Sequence, residues 1–117
     1  MHEPAIAAEL IALVQEETAK SGHPAAPIIS ITVRIGALRA VVEESLRLAF
    51  DVLKVSTPLE NANLIIEDIP ISGSCRRCGA DFRPQEPIFI CADCGSGDLD
   101  IRQGNELDLL SITLASG

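Results

Sequence analysis

The 117 residues contain no tryptophan, no tyrosine, only three phenylalanines and two histidines, and nine Lys or Arg against seventeen Asp or Glu. A formal net charge of −8 with so few rings leaves neither a basic track nor a stacking platform, so no nucleic-acid partner is expected. No apolar run approaches the ~20 residues of a membrane span, and no membrane association is expected either. The N-terminus carries Glu3 and no positive n-region ahead of helically spaced apolar residues, which is not a signal peptide; a cytoplasmic protein is expected. Catalytic constellations are missing too. There is no Ser-His-Asp set and no phosphate-cradling glycine loop, and His2 and His23 fall in a terminus and a loop, so the reading is that this is not an enzyme.

What is present is an apolar fraction of 47%, mostly Ile, Leu, Val and Ala, in one domain's length of chain. All four cysteines fall in one stretch, Cys75-Arg-Arg-Cys78-Gly and Cys91-Ala-Asp-Cys94-Gly, two C-x2-C pairs separated by twelve residues. Each pair makes a tight turn with both sulfurs on one side, and Gly79 and Gly95 supply the positive φ such turns use. Two facing turns give four sulfurs at about 2.3 Å from one ion, which suits Zn²⁺. Two alternatives stand beside zinc. Disulfides fit poorly with a reducing cytosol, and iron on the same four thiolates is not separated from zinc by ligand count or spacing, zinc being only the commoner structural ion. Arg76, Arg77 and Arg83 around the first pair read as solvated, or as offsetting thiolate charge.

In chain order, Pro4 suits a helix first turn, and Ile6, Ala7, Leu10, Ile11 and Val14 recur on one face until Gly22. His23 follows in a loop with nothing of ligand spacing near it. Ile28 to Ile35 alternates, placing Ile29, Ile31, Val33 and Ile35 on one side of a strand. A second amphipathic helix begins near Val42, with Leu46, Ala49, Phe50 and Leu53 on its apolar face. Leu64 to Ile69 and Leu107 to Leu114 read as further strands, the last with a phase shift that a bulge or two-sided burial explains. The expected fold is α+β, two helices on one face of a small three-stranded sheet, with an inserted zinc-knuckle subdomain. Residues 1–70 plus 105–117 form the expected core and 71–104 the insertion.

His2 is the remaining candidate for chemistry. A histidine beside a free α-amine offers the amine, deprotonated backbone amides and an imidazole within one short segment, a nitrogen-rich set that suits Ni²⁺ or Cu²⁺. Pro4 has no amide hydrogen, so such binding stops at the Glu3 nitrogen.

Together, Met1-His2-Glu3, the segment Arg34-Ile35-Gly36-Ala37-Leu38-Arg39-Ala40-Val41-Val42 followed by Leu46-Arg47-Leu48-Ala49-Phe50, and the cysteine pairs resemble the HypA/HybF family of nickel-incorporation proteins over essentially the whole chain. The resemblance implies a metallochaperone that helps deliver Ni²⁺ to the [NiFe]-hydrogenase large subunit, or to urease maturation proteins, with a HypB-type GTPase partner. It implies nickel on the Met1 amine, the His2 imidazole and amide, and the Glu3 amide, and structural zinc on Cys75, Cys78, Cys91 and Cys94. A monomer or weak homodimer is expected. Pro4 stands where family members commonly carry a bulky apolar residue, and the histidine that some relatives have in the zinc segment is lacking. The competing reading is a zinc-ribbon adaptor for protein or nucleic-acid binding.

Overall fold

Helix α1 runs over Glu3–Lys20 and buries Ile6, Ala7, Leu10, Ile11, Val14 and Thr18, the stripe the 3.6-residue period dictates. It ends in a Schellman cap: the N–H of Gly22 donates to the Ala19 carbonyl at 3.2 Å and that of His23 to the Thr18 carbonyl at 2.8 Å. The computed structural model describes residues 3–86 and 88–115, so Met1 and His2, both expected nickel ligands, lie outside the described residues.

Strand β1 covers Ile28–Gly36, and its β-branched residues keep Ile31, Val33 and Ile35 buried while Arg34 faces out. Ile29 departs from the expected alternation. It is 48% exposed, and Ile28, whose N–H donates to the Pro58 carbonyl at 3.0 Å, takes the buried place. A 3₁₀ turn at Ala37–Arg39 leads to α2, Glu43–Leu53. Of its expected apolar face only Leu46 and Phe50 are buried, and Val42 and Leu53, at or beyond its two ends, are exposed. Val42, the N-cap of α2, has no capping side chain of its own, and its N–H donates instead to Glu3 Oε2 at 3.2 Å. Strand β2 is Asn63–Ile69, and after β3 (Ser72–Cys75), β4 (Asp81–Phe82) and β5 (Leu99–Gln103) the chain closes with β6, Leu107–Leu114. Burial along β6 slips by one position at Leu110 and Ser111, two exposed residues in succession.

The strands form two three-stranded sheets, one in the order β2-β1-β6 and one in the order β4-β3-β5. The architecture is the expected α+β class, and the second sheet is an addition to it. The chain divides into two compact units: Met1–Arg34, Val41–Glu67 and Asp108–Gly117 make the first, Ile35–Ala40 and Asp68–Leu107 the second. The first unit's core joins the α1 stripe to Ile31, Val33, Leu46, Phe50, Leu59, Ala62 and Leu64. The second is small, burying Ile35, Ile71, Cys75, Phe82 and Cys91. A chain of that size with so few buried apolar side chains needs another source of stability. Among the described residues, no helix is long and apolar enough to cross a membrane.

Candidate metal centre

The two C-x2-C turns close in the same way. In the first, the Cys75 N–H donates to the Ala80 carbonyl at 2.8 Å and the Gly79 N–H to the Cys75 carbonyl at 2.9 Å. In the second, the Cys91 N–H donates to the Ser96 carbonyl at 2.8 Å and the Gly95 N–H to the Cys91 carbonyl at 2.9 Å. Gly79 at φ 79° and Gly95 at φ 74° occupy the left-handed region, as a glycine placed directly after each pair allows.

Antiparallel pairing positions the first turn. Strand β3 meets β4 through Gly73↔Phe82 and Ser74↔Asp81, and β5 through Ser74↔Asp100 and Cys75↔Leu99, with an irregularity between Ser72 and Gly73. Gly73 is where backbones come closest. A Cβ there would overlap the Asp100 carbonyl oxygen and lie 2.9 Å from its carbon and 3.0 Å from Ile101 Cα.

These supports gather the four sulfurs within 4.8 Å of one another, with Cys75 Sγ to Cys94 Sγ and Cys78 Sγ to Cys91 Sγ both 3.6 Å. A tetrahedral ion with bonds of about 2.3 Å has sulfur–sulfur edges of about 3.8 Å, so the cross-turn pairs have the right span. All four cysteines are free thiols, and 3.6 Å is far beyond the ~2.05 Å of a disulfide. The first cysteine of each pair, Cys75 and Cys91, is buried, and the second, Cys78 and Cys94, is exposed.

Electrostatics makes the sulfurs unequal. The backbone N–H groups of Cys78 and Arg77 point at the Cys75 sulfur and, against the effect of burial, bring its pKa down to about 7. For Cys78 the Ala80 N–H favours the thiolate, but the Cys91 sulfur, burial and the remaining sulfurs outweigh it and push the pKa up to about 12. Cys94 is also raised, burial and the Cys75 sulfur overcoming the Ser96 N–H. Soft donors in this number and geometry fit a closed site with no free position for substrate.

Glu3, the remaining expected site residue that is described, is the first residue of α1, and His23, for which no role was expected, is exposed in the turn after that helix. Among the described residues, the cysteine set is the sole His, Cys, Asp and Glu grouping of metal-ligand spacing. Sequence reasoning missed the sheet that carries the first turn. Its available signal was the small-residue run Ser72-Gly73-Ser74, which permits close backbone approach.

Fold and cluster together define a small α+β protein with a four-thiol site that fits zinc and offers no catalytic position. A family described as "Hydrogenase/urease nickel incorporation, metallochaperone, hypA" matches residues 1–114, and the chain belongs to that family. Its members are metallochaperones, not enzymes. The "Hydrogenase maturation factor HypA" of Desulfosudis oleivorans is 36% identical over 97% of this chain and 98% of its own length. That of Desulfatibacillum aliphaticivorans is 39% identical over 98% of this chain and 88% of its own. The solution structure of the Ni metallochaperone HypA from Helicobacter pylori superposes with a TM-score of 0.70 at 30% identity, covering 100% of both chains.

Proposed function

We propose that this nickel-incorporation protein takes its Ni²⁺ cargo on the Met1 amine, the His2 imidazole and amide and the Glu3 amide, and passes it to the [NiFe]-hydrogenase large subunit in the cytoplasm with a HypB-type GTPase. Residues 71–104, the greater part of the second unit, are kept in shape by Zn²⁺ on Cys75, Cys78, Cys91 and Cys94. The observation that carries the nickel assignment is the start of α1 at Glu3. The first N–H groups of a helix have no intrahelical acceptor, so the Glu3 amide can lose its proton to a metal without breaking a helical hydrogen bond. Its carboxylate accepts the Val42 N–H, which leaves the backbone nitrogen as the donor assigned to nickel.

Donors this close in sequence form fused chelate rings, and a nitrogen-rich set favours square-planar Ni²⁺. A carrier must also release its ion to a partner. The sulfur site has no such task. Its ion is enclosed by four ligands and stiffens a unit with little core of its own.

Titration of untagged protein with Ni²⁺ tests the assignment. His2→Ala and a one-residue N-terminal extension should each abolish saturable binding while leaving the thermal midpoint unchanged, because few buried contacts depend on a chain end. Native affinity and a square-planar d–d band in a protein with an uncleaved N-terminal tag would overturn it.

A further inference from the structure

The three arginines near the first cysteine pair are alike in sequence and unlike in structure. Arg76 extends both arms of its guanidinium, Nη1 lying 3.1 Å from Asp98 Oδ1 and Nη2 3.7 Å from Asp100 Oδ1. Its own backbone N–H donates to the Asp98 carbonyl at 3.0 Å. Asp98 in turn donates its N–H to Ser96 Oγ at 3.0 Å, and the Ser96 carbonyl accepts the N–H of Cys91. A continuous polar path therefore runs from inside the first turn to the first ligand of the second. Arg102 Nε, 3.1 Å from Asp100 Oδ2, steadies the second carboxylate. Arg77 and Arg83 make no ion pair among the described residues.

We propose that Arg76 is a positioning residue of the four-sulfur site, a clamp that holds the two cysteine turns together and slows loss of their metal. The proposal rests on the zinc assignment above. An ion leaving a closed tetrahedral site must shed both sulfurs of one turn before it is free, and that step requires the turns to part. Apart from the metal, the described side chains joining the turn at Cys75–Cys78 to the segment after Cys94 are Arg76, Asp98 and Asp100. Arginine suits the task because its planar fork meets two carboxylates at once, which a lysine point charge does not. The expectation that all three arginines stay solvated or offset thiolate charge is thereby divided: Arg76 acts through geometry, and Arg77 is its natural control.

The experiment follows zinc transfer from the loaded full-length protein to excess 4-(2-pyridylazo)resorcinol. An exposed ion pair at the upper end of measured strength corresponds to a factor of about five, so Arg76→Ala should release zinc about fivefold faster than wild type. Arg77→Ala removes the same charge one residue away and should release it at the wild-type rate. Arg76→Lys should fall between the two. In the double variant Arg76→Ala/Asp98→Asn the effects should be less than additive, and raising the salt to 1 M should narrow the difference from wild type. The Co²⁺-substituted spectrum of each variant should keep its tetrahedral four-sulfur signature. If Arg76→Ala does not fold, Asp98→Asn opens the clamp from its other side and must accelerate release by itself. Equal acceleration by Arg77→Ala, or none by Arg76→Ala, overturns the clamp with zinc binding intact. Wild-type protein that takes up no zinc overturns the zinc assignment and the clamp together.

Discussion

Replacing Gly73 by alanine tests whether the β3–β5 pairing holds the metal ligands. The added methyl would meet the Asp100 carbonyl group and the Ile101 Cα, which are backbone atoms and cannot swing aside like the end of a side chain. Overpacking a tight site costs about 1–3 kcal/mol, and backbone on backbone belongs near the upper figure. In the metal-free protein β3 and β5 relieve the clash by separating. In the metal-bound protein they cannot, because Cys75 pairs with Leu99 and its sulfur must stay near that of Cys94. The cost therefore falls on metal binding, and about 3 kcal/mol weakens zinc affinity roughly 100-fold. Two other glycines calibrate the result. A Cβ on Gly79 meets nothing within 4 Å but must adopt φ +79°, a strain of about 1–2 kcal/mol. A Cβ on Gly97 has its nearest neighbour, the Phe89 carbonyl oxygen, at an ordinary 3.8 Å and should change nothing. Chelator-competition titrations of the three variants should rank Gly73→Ala below Gly79→Ala below Gly97→Ala. Wild-type affinity in Gly73→Ala would refute the view that this strand pairing sets the sulfur geometry.

Cys94→Ser should abolish zinc binding and leave the first unit folded, because its helices and sheet bury their own apolar faces. Hydrogen exchange reads this directly: Ile6–Val14 amides stay protected while Ser72–Gln103 amides lose protection, structural zinc being worth on the order of 10 kcal/mol to small modules. Zinc affinity should rise with pH. Near pH 7 Cys78 at about 12 and the raised Cys94 still hold their protons, so binding expels at least two and affinity gains roughly 100-fold per pH unit. Below about 7 the Cys75 thiolate also takes a proton and the dependence steepens, which indicator measurements of proton release can follow.

How far the fold was legible depends on how much each element owes to its own residues. The α1 stripe is local, set by helical period and met residue for residue. Strand β1 was legible in its centre and missed at Ile29, since burial at a strand end depends on what lies over it. Leu59 and Ala62 are buried too, although the residues after Thr57-Pro58 carry neither a helical period nor an alternation that would mark them as core. Strand β3, with the sequence Ser-Gly-Ser-Cys, has no β-branched residue and no alternation; its partners make it a strand. The four sulfurs were legible because C-x2-C spacing is itself a geometric constraint. The Arg76 contacts were not, since residues 22 and 24 positions away supply them. The proposed nickel donors Met1 and His2 were read from resemblance and from the chemistry of a terminal histidine, and they lie outside the described residues.

Ile35–Ala40, a short detour of the chain, belongs to the second unit although it lies far in sequence from Asp68–Leu107. Its backbone is joined there by hydrogen bonds: the Gly36 N–H donates to the Glu106 carbonyl, the Leu38 N–H to that of Gly104, and Arg39 Nε to that of Asn105. The boundary between units is thus crossed four times, and no single cut releases either one. A gene fragment encoding only Asp68–Leu107 would contain every cysteine yet leave three consecutive carbonyls without their donors. Grafting the metal-binding segment into another protein therefore calls for a host that supplies a six-residue substitute for Ile35–Ala40.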